Sequence, residues 1–216
     1  TKQIKMLGLA GAYTQITREL IPFADGLNTN YGLTFIPGTW IESIQISKGA
    51  GSVVNGYDGL TGQINVELKK PFSPEKLYLN MYANHEGTGE INLVNSWNAG
   101  EKWSGANLLH GRYAAFENDH NHDHFRDSPL GYQFNGMHRW DYRNPETGIE
   151  FQIGVTGLRD RKEGGELGFN PDDHHSHYGT VIQNDRLEVF AKGGKVFPDQ
   201  PYKSTGIQLS ASYHDL

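Results

Sequence analysis

The residues with the densest chemistry lie between Glu117 and Asp127, which read Glu-Asn-Asp-His-Asn-His-Asp-His-Phe-Arg-Asp. Asp119, Asn121, Asp123 and Asp127 form D-x-N-x-D-x-x-x-D. That is the oxygen-ligand order of positions 1, 3, 5 and 9 of a calcium-binding loop, with the Phe125 carbonyl at position 7. Two residues depart from that pattern. His124 stands where such a loop turns on glycine, and Leu130 stands where it places a bidentate glutamate. A Ca2+ ion here would need a further ligand from another segment or from water. Interleaved with the oxygens are His120, His122 and His124, whose imidazoles suit copper, zinc, nickel or iron. On an extended strand their spacing of two would put all three on one face. A second cluster, Asp172, Asp173, His174, His175 and His177, follows in the next long connection. Three readings stand: a calcium-like structural site, a transition-metal site shared by the two loops, or two solvated polar loops.

No other constellation suggests catalysis. No Ser/His/Asp set sits in a nucleophile context, and the glycine-rich stretch Gly49–Gly62 lacks the lysine and following helix of a phosphate-binding loop. The chain of 216 residues has no cysteine and a formal net charge of -6, with both signs scattered. This points away from nucleic acid and excludes disulfides and thiolate metal sites. Mean hydropathy is -0.61, and no apolar run is long enough for a transmembrane helix. A membrane β-barrel remains open, because its strands put only alternate residues into lipid and so look polar on average. Thr1 reads like mid-domain sequence and Leu216 falls within a strand pattern, so a piece of a longer chain is expected.

The elements that must carry these loops are strands. From Leu77 onward, two-faced runs repeat: Leu77, Leu79, Met81 and Ala83; Ile91 and Leu93; Trp103 to Tyr113; Phe134 to Tyr142; Ile149 to Gly157; Leu187 to Ala191; and Ile207 to Tyr213. These amount to about seven strands, none with helical periodicity. Connections at 98–102, 144–148 and 198–202 are short, the first of the others (85–89) is short to moderate, and those at 114–131 and 161–184 are long. Alternating short turns and long loops suit an outer-membrane barrel. Trp97, Trp103, Trp140 and Tyr142 fall near strand ends, as an aromatic girdle would place them. A soluble β-sandwich alternates just as cleanly.

Trp40 to Pro71 is patterned differently. Ile41, Ile44 and Ile46 belong to one β-prone run; Ile64, Val66 and Leu68 belong to another and alternate with Gln63, Asn65, Glu67 and Lys69. That period reads as a half-buried strand. Between them lie Gly49, Gly51, Gly56, Gly59 and Gly62, a density that implies tight reversals. The stretch resembles the C-terminal half of the plug domain of TonB-dependent outer-membrane receptors. The resemblance rests on Ile41-Glu42-Ser43-Ile44-Gln45-Ile46-Ser47-Lys48-Gly49, a small-residue turn at Ser52–Gly56, and Gly62-Gln63-Ile64-Asn65-Val66-Glu67-Leu68-Lys69-Lys70-Pro71. Gly8 to Pro22 matches an earlier plug element, with Arg18-Glu19 in place of the usual Asp-Gly turn, so a different hairpin tip is expected. Asn55 replaces the family's usual aromatic, and Lys48 stands where arginine is common. The wording from Tyr31 to Glu42 looks most like receptors of the Bacteroidetes type.

The resemblance implies an all-β chain: residues 1–71 as the later part of a small α+β plug, with a short helix and a loop in Gly26–Thr39, and residues 72–216 as a sector of a large transmembrane antiparallel β-barrel. It implies TonB-dependent uptake of a scarce substrate, a metal complex or siderophore favoured, across a bacterial outer membrane. The partners would be the TonB-ExbB-ExbD energising complex, a small-molecule or metal-chelate substrate and outer-membrane lipid, with no nucleic acid and no enzymatic step. Glu42, Lys48 and Glu67 on plug strands would pair with Arg112, Arg139 and Asp141 on the barrel wall. Seven strands cannot close a barrel around a plug, so the piece is not expected to fold alone. The alternatives are a secreted β-sandwich that binds metal or a partner, and a barrel enzyme, for which no nucleophile and base are visible.

Overall fold

The computed structural model describes residues 4–23, 32–50, 59–72, 75–173 and 176–216. The chain divides into two compact units, Thr1–Lys70 and Pro71–Leu216.

The first unit is built on a four-stranded sheet of β1 (Thr14–Arg18), β2 (Ile21–Pro22), β3 (Ile41–Lys48) and β4 (Gly62–Leu68), in the order β2-β1-β4-β3. β4 runs antiparallel to β3, with Ile44 opposite Val66, and parallel to β1, with Ile16 opposite Ile64. Its central place explains why the expectation of a half-buried strand fails. Ile64, Val66 and Leu68 are buried on one face, and so are Gln63 and Asn65 on the other. Buried polar groups need partners, and these have them. Thr17 Oγ1 donates to Asn65 Oδ1 (2.9 Å), and Asn65 Nδ2 donates to Glu67 Oε1 (2.8 Å). β3 lies at the sheet edge, where Ile44 and Ile46 are exposed.

The β1–β2 turn has only two residues, Glu19 and Leu20, at φ 52° and 65°. Positive φ at both central positions marks the primed turns that glycine or asparagine normally serve. Here the left-handed backbone is held from outside: Glu19 N donates to Val66 O (2.9 Å) and Leu20 N to Asn65 Oδ1 (2.8 Å). The helix expected in Gly26–Thr39 is represented, over the described part, by 3-10 turns at Gly32–Phe35 and Gly38–Trp40. Tyr31, Asn55 and the turn at Ser52–Gly56 lie outside the described residues.

The second unit is one seven-stranded antiparallel sheet: β5 (Leu77–Ala83), β6 (Thr88–Ala99), β7 (Trp103–Ala114), β8 (Leu130–Asn144), β9 (Ile149–Gly165), β10 (Gly179–Phe197) and β11 (Gln200–Asp215), each paired with its neighbour in sequence. The long connection expected at 161–184 is shorter, because β9 runs on to Gly165 and β10 starts at Gly179. The extra rungs carry no apolar pair: Arg161 stands opposite Gln183, Lys162 opposite Ile182 and Glu163 opposite Val181. Ladder hydrogen bonds come from the backbone and need no apolar side chain, so the hydrophobic pattern ends before the strand does.

The two faces of this sheet are inverted relative to a water-soluble sheet. Leu108 is 0% exposed and its neighbour Leu109 is 47% exposed. Leu108 shares the buried face with Asn92, His110, Gln133, Asn135, Arg139, Asp141, Asp160, Asn184, Arg186 and Glu188. On the exposed face stand Leu79, Met81, Ile91, Phe134, Ile153, Val155, Leu187, Val189, Ile207 and Leu209. The polar face is internally matched: Lys162–Asp160 at 2.6 Å, Arg186–Glu188 at 3.1 Å and Arg139–Asp141 at 3.4 Å. At the short-turn end of the exposed face the aromatic rings cluster. Trp97 meets Trp140 edge-on at 5.6 Å, and Trp103 meets Tyr142 at 5.0 Å.

Candidate functional site

The 115–129 connection between β7 and β8 carries the Asp/His cluster. Its carboxylates and amides accept from the loop's own backbone. Asp119 accepts from Asp123 N (3.2 Å) and His124 N (3.0 Å), and Asp123 Oδ1 accepts from Phe125 N (2.8 Å). Asn121 accepts from Asp123 N (3.3 Å) and donates to Asp123 Oδ2 (2.9 Å). Asp127 Oδ2 accepts from both the backbone N and Nδ1 of His120, each at 2.7 Å. These are the local side-chain-to-backbone bonds by which Asn and Asp order turns.

His120 and Asp127 shift each other. The hydrogen bond to Asp127, and then its charge, raise His120 above the ordinary histidine value. The backbone N–H of His120, then its side chain, hold Asp127 below the ordinary carboxylate value. His122 and His124 sit at φ 61° and 67°. The run is therefore a curled loop, and the strand geometry that would align His120, His122 and His124 on one face does not arise. Among the described residues, no group of three or more His, Asp or Glu side chains is gathered as a metal site. His174 and His175 lie outside the described residues. Asp173 accepts from Ser176 Oγ (2.9 Å), and His177 has its ring beside Gly168.

The two long loops do meet, through a residue that sequence reasoning passed over. Arg126, with its side chain 2% exposed, forms an ion pair with Glu117 through Nε (2.8 Å) and Nη2. Nη2 also donates to Phe169 O (2.8 Å), and Nη1 reaches Glu163 O (3.4 Å). Glu117 in turn accepts from Gly168 N (3.1 Å). The backbone seals the same junction: Arg126 N donates to Gly165 O and Leu167 N to His124 O, both at 2.9 Å. The only signal in the chain was one arginine amid acidic residues. Glu117 is in the same loop, but its other partners, Glu163 O and Phe169 O, lie across a long sequence gap, and no local pattern encodes them.

The six charged residues expected to bridge plug and wall have these surroundings. Glu67 bonds Lys70 (2.9 Å), which also bonds the buried Glu19 (2.6 Å). Glu42 and Lys48 are exposed on β3. Arg112 faces Glu90 at 3.5 Å, and Arg139 and Asp141 are buried side by side on β8. In comparisons with known proteins, no family model and no curated protein sequence matches the chain.

Proposed function

We propose that the chain belongs to a TonB-dependent outer-membrane receptor and acts in active uptake of a scarce small molecule, a metal chelate or siderophore favoured. The observation that carries this reading is the inverted sheet, with an apolar face turned to solvent and, buried on the other face, most of its charged and amide side chains alongside Val94, Leu108, Met137, Leu158 and Phe190. An outer-membrane barrel needs that arrangement, because its outside meets hydrocarbon and its inside is polar. A β-sandwich needs the reverse, an apolar face packed inward, so the exposed leucines and isoleucines weigh against it. The span fits as well. Tyr142 to Tyr132 covers ten residues of β8, about 34 Å of strand, which at a tilt of about 40° projects to about 25 Å. That is the height of an apolar band between two aromatic girdles.

The plug-like motif from Ile41 to Pro71 supplies the TonB part of the proposal. In this reading the long connections at 115–129 and 166–178 face outward, where a substrate arrives, and TonB-ExbB-ExbD act from the other side. The ordered junction at Arg126 suits a wall of the substrate vestibule, and no chemical conversion is assigned to it. The pairing of Glu42, Lys48 and Glu67 with the barrel wall remains part of this proposal.

The test is made on the full-length protein in its native host. The reading expects recovery in the outer-membrane fraction, heat-dependent gel mobility, and loss of growth on a limiting metal chelate when either the receptor or TonB is deleted. Recovery as a detergent-free soluble protein would overturn it.

A further inference from the structure

The turn between β1 and β2 is made without glycine. Glu19 and Leu20 sit at φ 52° and 65°, where an L side chain crowds the following carbonyl. Leu20 is 53% exposed, so packing offsets little of that crowding. The hairpin itself is short, pairing Thr17 with Pro22 and Arg18 with Ile21. What holds the turn comes from β4 and the residues just after it. Asn65, 3% exposed, stands at the centre. Its Oδ1 accepts from Thr17 Oγ1 (2.9 Å) and Leu20 N (2.8 Å), and its Nδ2 donates to Glu67 Oε1 (2.8 Å) and Gln45 Oε1 (3.4 Å). Both lone pairs and both donors of the amide are thereby used. Lys70 Nζ donates to Glu19 Oε1 (2.6 Å) and Glu67 Oε2 (2.9 Å). Asn65 and Lys70 therefore grip the two turn residues, Leu20 through its N–H and Glu19 through its carboxylate, and are joined to each other by Glu67.

We propose that the Glu19–Leu20 turn is a loaded latch: Asn65 and Lys70 hold it in its left-handed form, and the β1–β2 hairpin opens ahead of the rest of the four-stranded sheet when that grip is lost. Strained backbone persists only where its surroundings over-determine it, and it gathers at switching segments. The order of opening follows from the sheet. β4 is paired on both sides, with β1 and with β3, whereas β2 pairs with β1 alone among the described residues. The strain is relieved only when the turn itself opens, so it favours local opening there over opening of β3 from β4. A plain buried polar network would behave in the opposite way. It would hold a relaxed turn, and glycine at position 20 would loosen that turn by adding backbone freedom. The use of the latch in uptake rests on the reading of this unit as a plug. In that setting the first release falls at β2, with β3 and β4 still paired.

The experiment measures amide exchange in the full-length receptor in mild detergent, relative to the intrinsic rate of each sequence, over 17–23 and 41–48. Leu20→Gly removes the crowding and keeps the N–H that Asn65 accepts, so exchange in 17–23 is expected to slow by about threefold or more. Leu20→Val puts a β-branched side chain at positive φ and is expected to speed it by a similar factor. Asn65→Ala and Lys70→Met loosen the grip and are expected to speed exchange in 17–23 more than in 41–48. Where Asn65→Ala unfolds the whole unit, the two Leu20 variants still decide. Faster exchange in Leu20→Gly, or equal changes in 17–23 and 41–48 across the Leu20 variants, would overturn the latch. A wild type absent from the outer membrane would instead overturn the proposed function, while the sign of the Leu20→Gly effect would still decide the latch, so the two failures are distinguishable.

Discussion

Arg126 joins both long loops with donors directed at Glu117, Phe169 O and Glu163 O. Removing one partner of a buried pair leaves the other uncompensated, a loss of several kcal/mol at full burial. Glu117 is 34% exposed, so roughly 1–3 kcal/mol of local order is a fairer figure. Arg126→Ala is expected to raise amide exchange in 117–127 and 166–170 together while leaving the strands unchanged; a rise in only one loop would refute the junction. The His120–Asp127 contact sets a pH window. His120 is raised, so its contribution is full below about 6.5 and is lost as pH climbs through the raised value. Asp127 is lowered, so its contribution is full above about 3.8 and is lost as pH falls through the lowered value. Protection in the 119–127 loop, taken relative to the intrinsic exchange rate at each pH, should be greatest between those limits, and His120→Ala should flatten the profile. Because the loop's oxygens already accept backbone N–H groups, chelation of divalent cations is expected to leave its exchange unchanged. A loop that melts under chelator would support the calcium reading.

Within the strands, adjacent residues have opposite fates. Leu109 is on the exposed apolar face and Leu108 on the buried one. Leu109→Arg is expected to cost about 2–4 kcal/mol of insertion free energy, the value for a cation on a lipid face near mid-membrane. Gln133→Lys, on the charged face, is expected to cost far less. Folding yield into phospholipid vesicles measures both, and equal yields would sink the two-faced assignment. The turn after β8 offers a second test. Gly148 sits at φ +67°, its N donates to Asn144 O and its O accepts from Val196 N, both at 2.9 Å. A Cβ there would overlap Val196 O. Gly148→Val combines that overlap with a left-handed β-branched residue, so a loss of at least roughly 1–3 kcal/mol is expected in thermal unfolding.

At the scale of the molecule, about a dozen large apolar side chains stand roughly half exposed on one sheet, and moving that exposed area from water to hydrocarbon would contribute roughly 10–20 kcal/mol. That is as large as the net stability of an ordinary domain, so the surroundings of this face weigh heavily on the protein's stability. β5 and β11 each pair on one side only among the described residues, and unpaired edges with apolar flanks promote aggregation. Residues 71–216 expressed alone are expected to collect as insoluble aggregate, and a monodisperse soluble product would contradict that. The sequence by itself determined the strands, because alternation has a period of two whatever lies on either side. It located the seven runs and the short turns, and it exposed the donor-rich loops. It could not say which alternate face is buried, since the period is the same for both. It could not see β9 and β10 continuing through rungs that pair polar residues with Val181 and Ile182, because backbone pairing leaves no hydrophobic trace. Only the tertiary structure decided those points, because each depends on groups that meet across long stretches of chain: Arg126 with Phe169, β4 between β1 and β3, and Asn65 with Leu20.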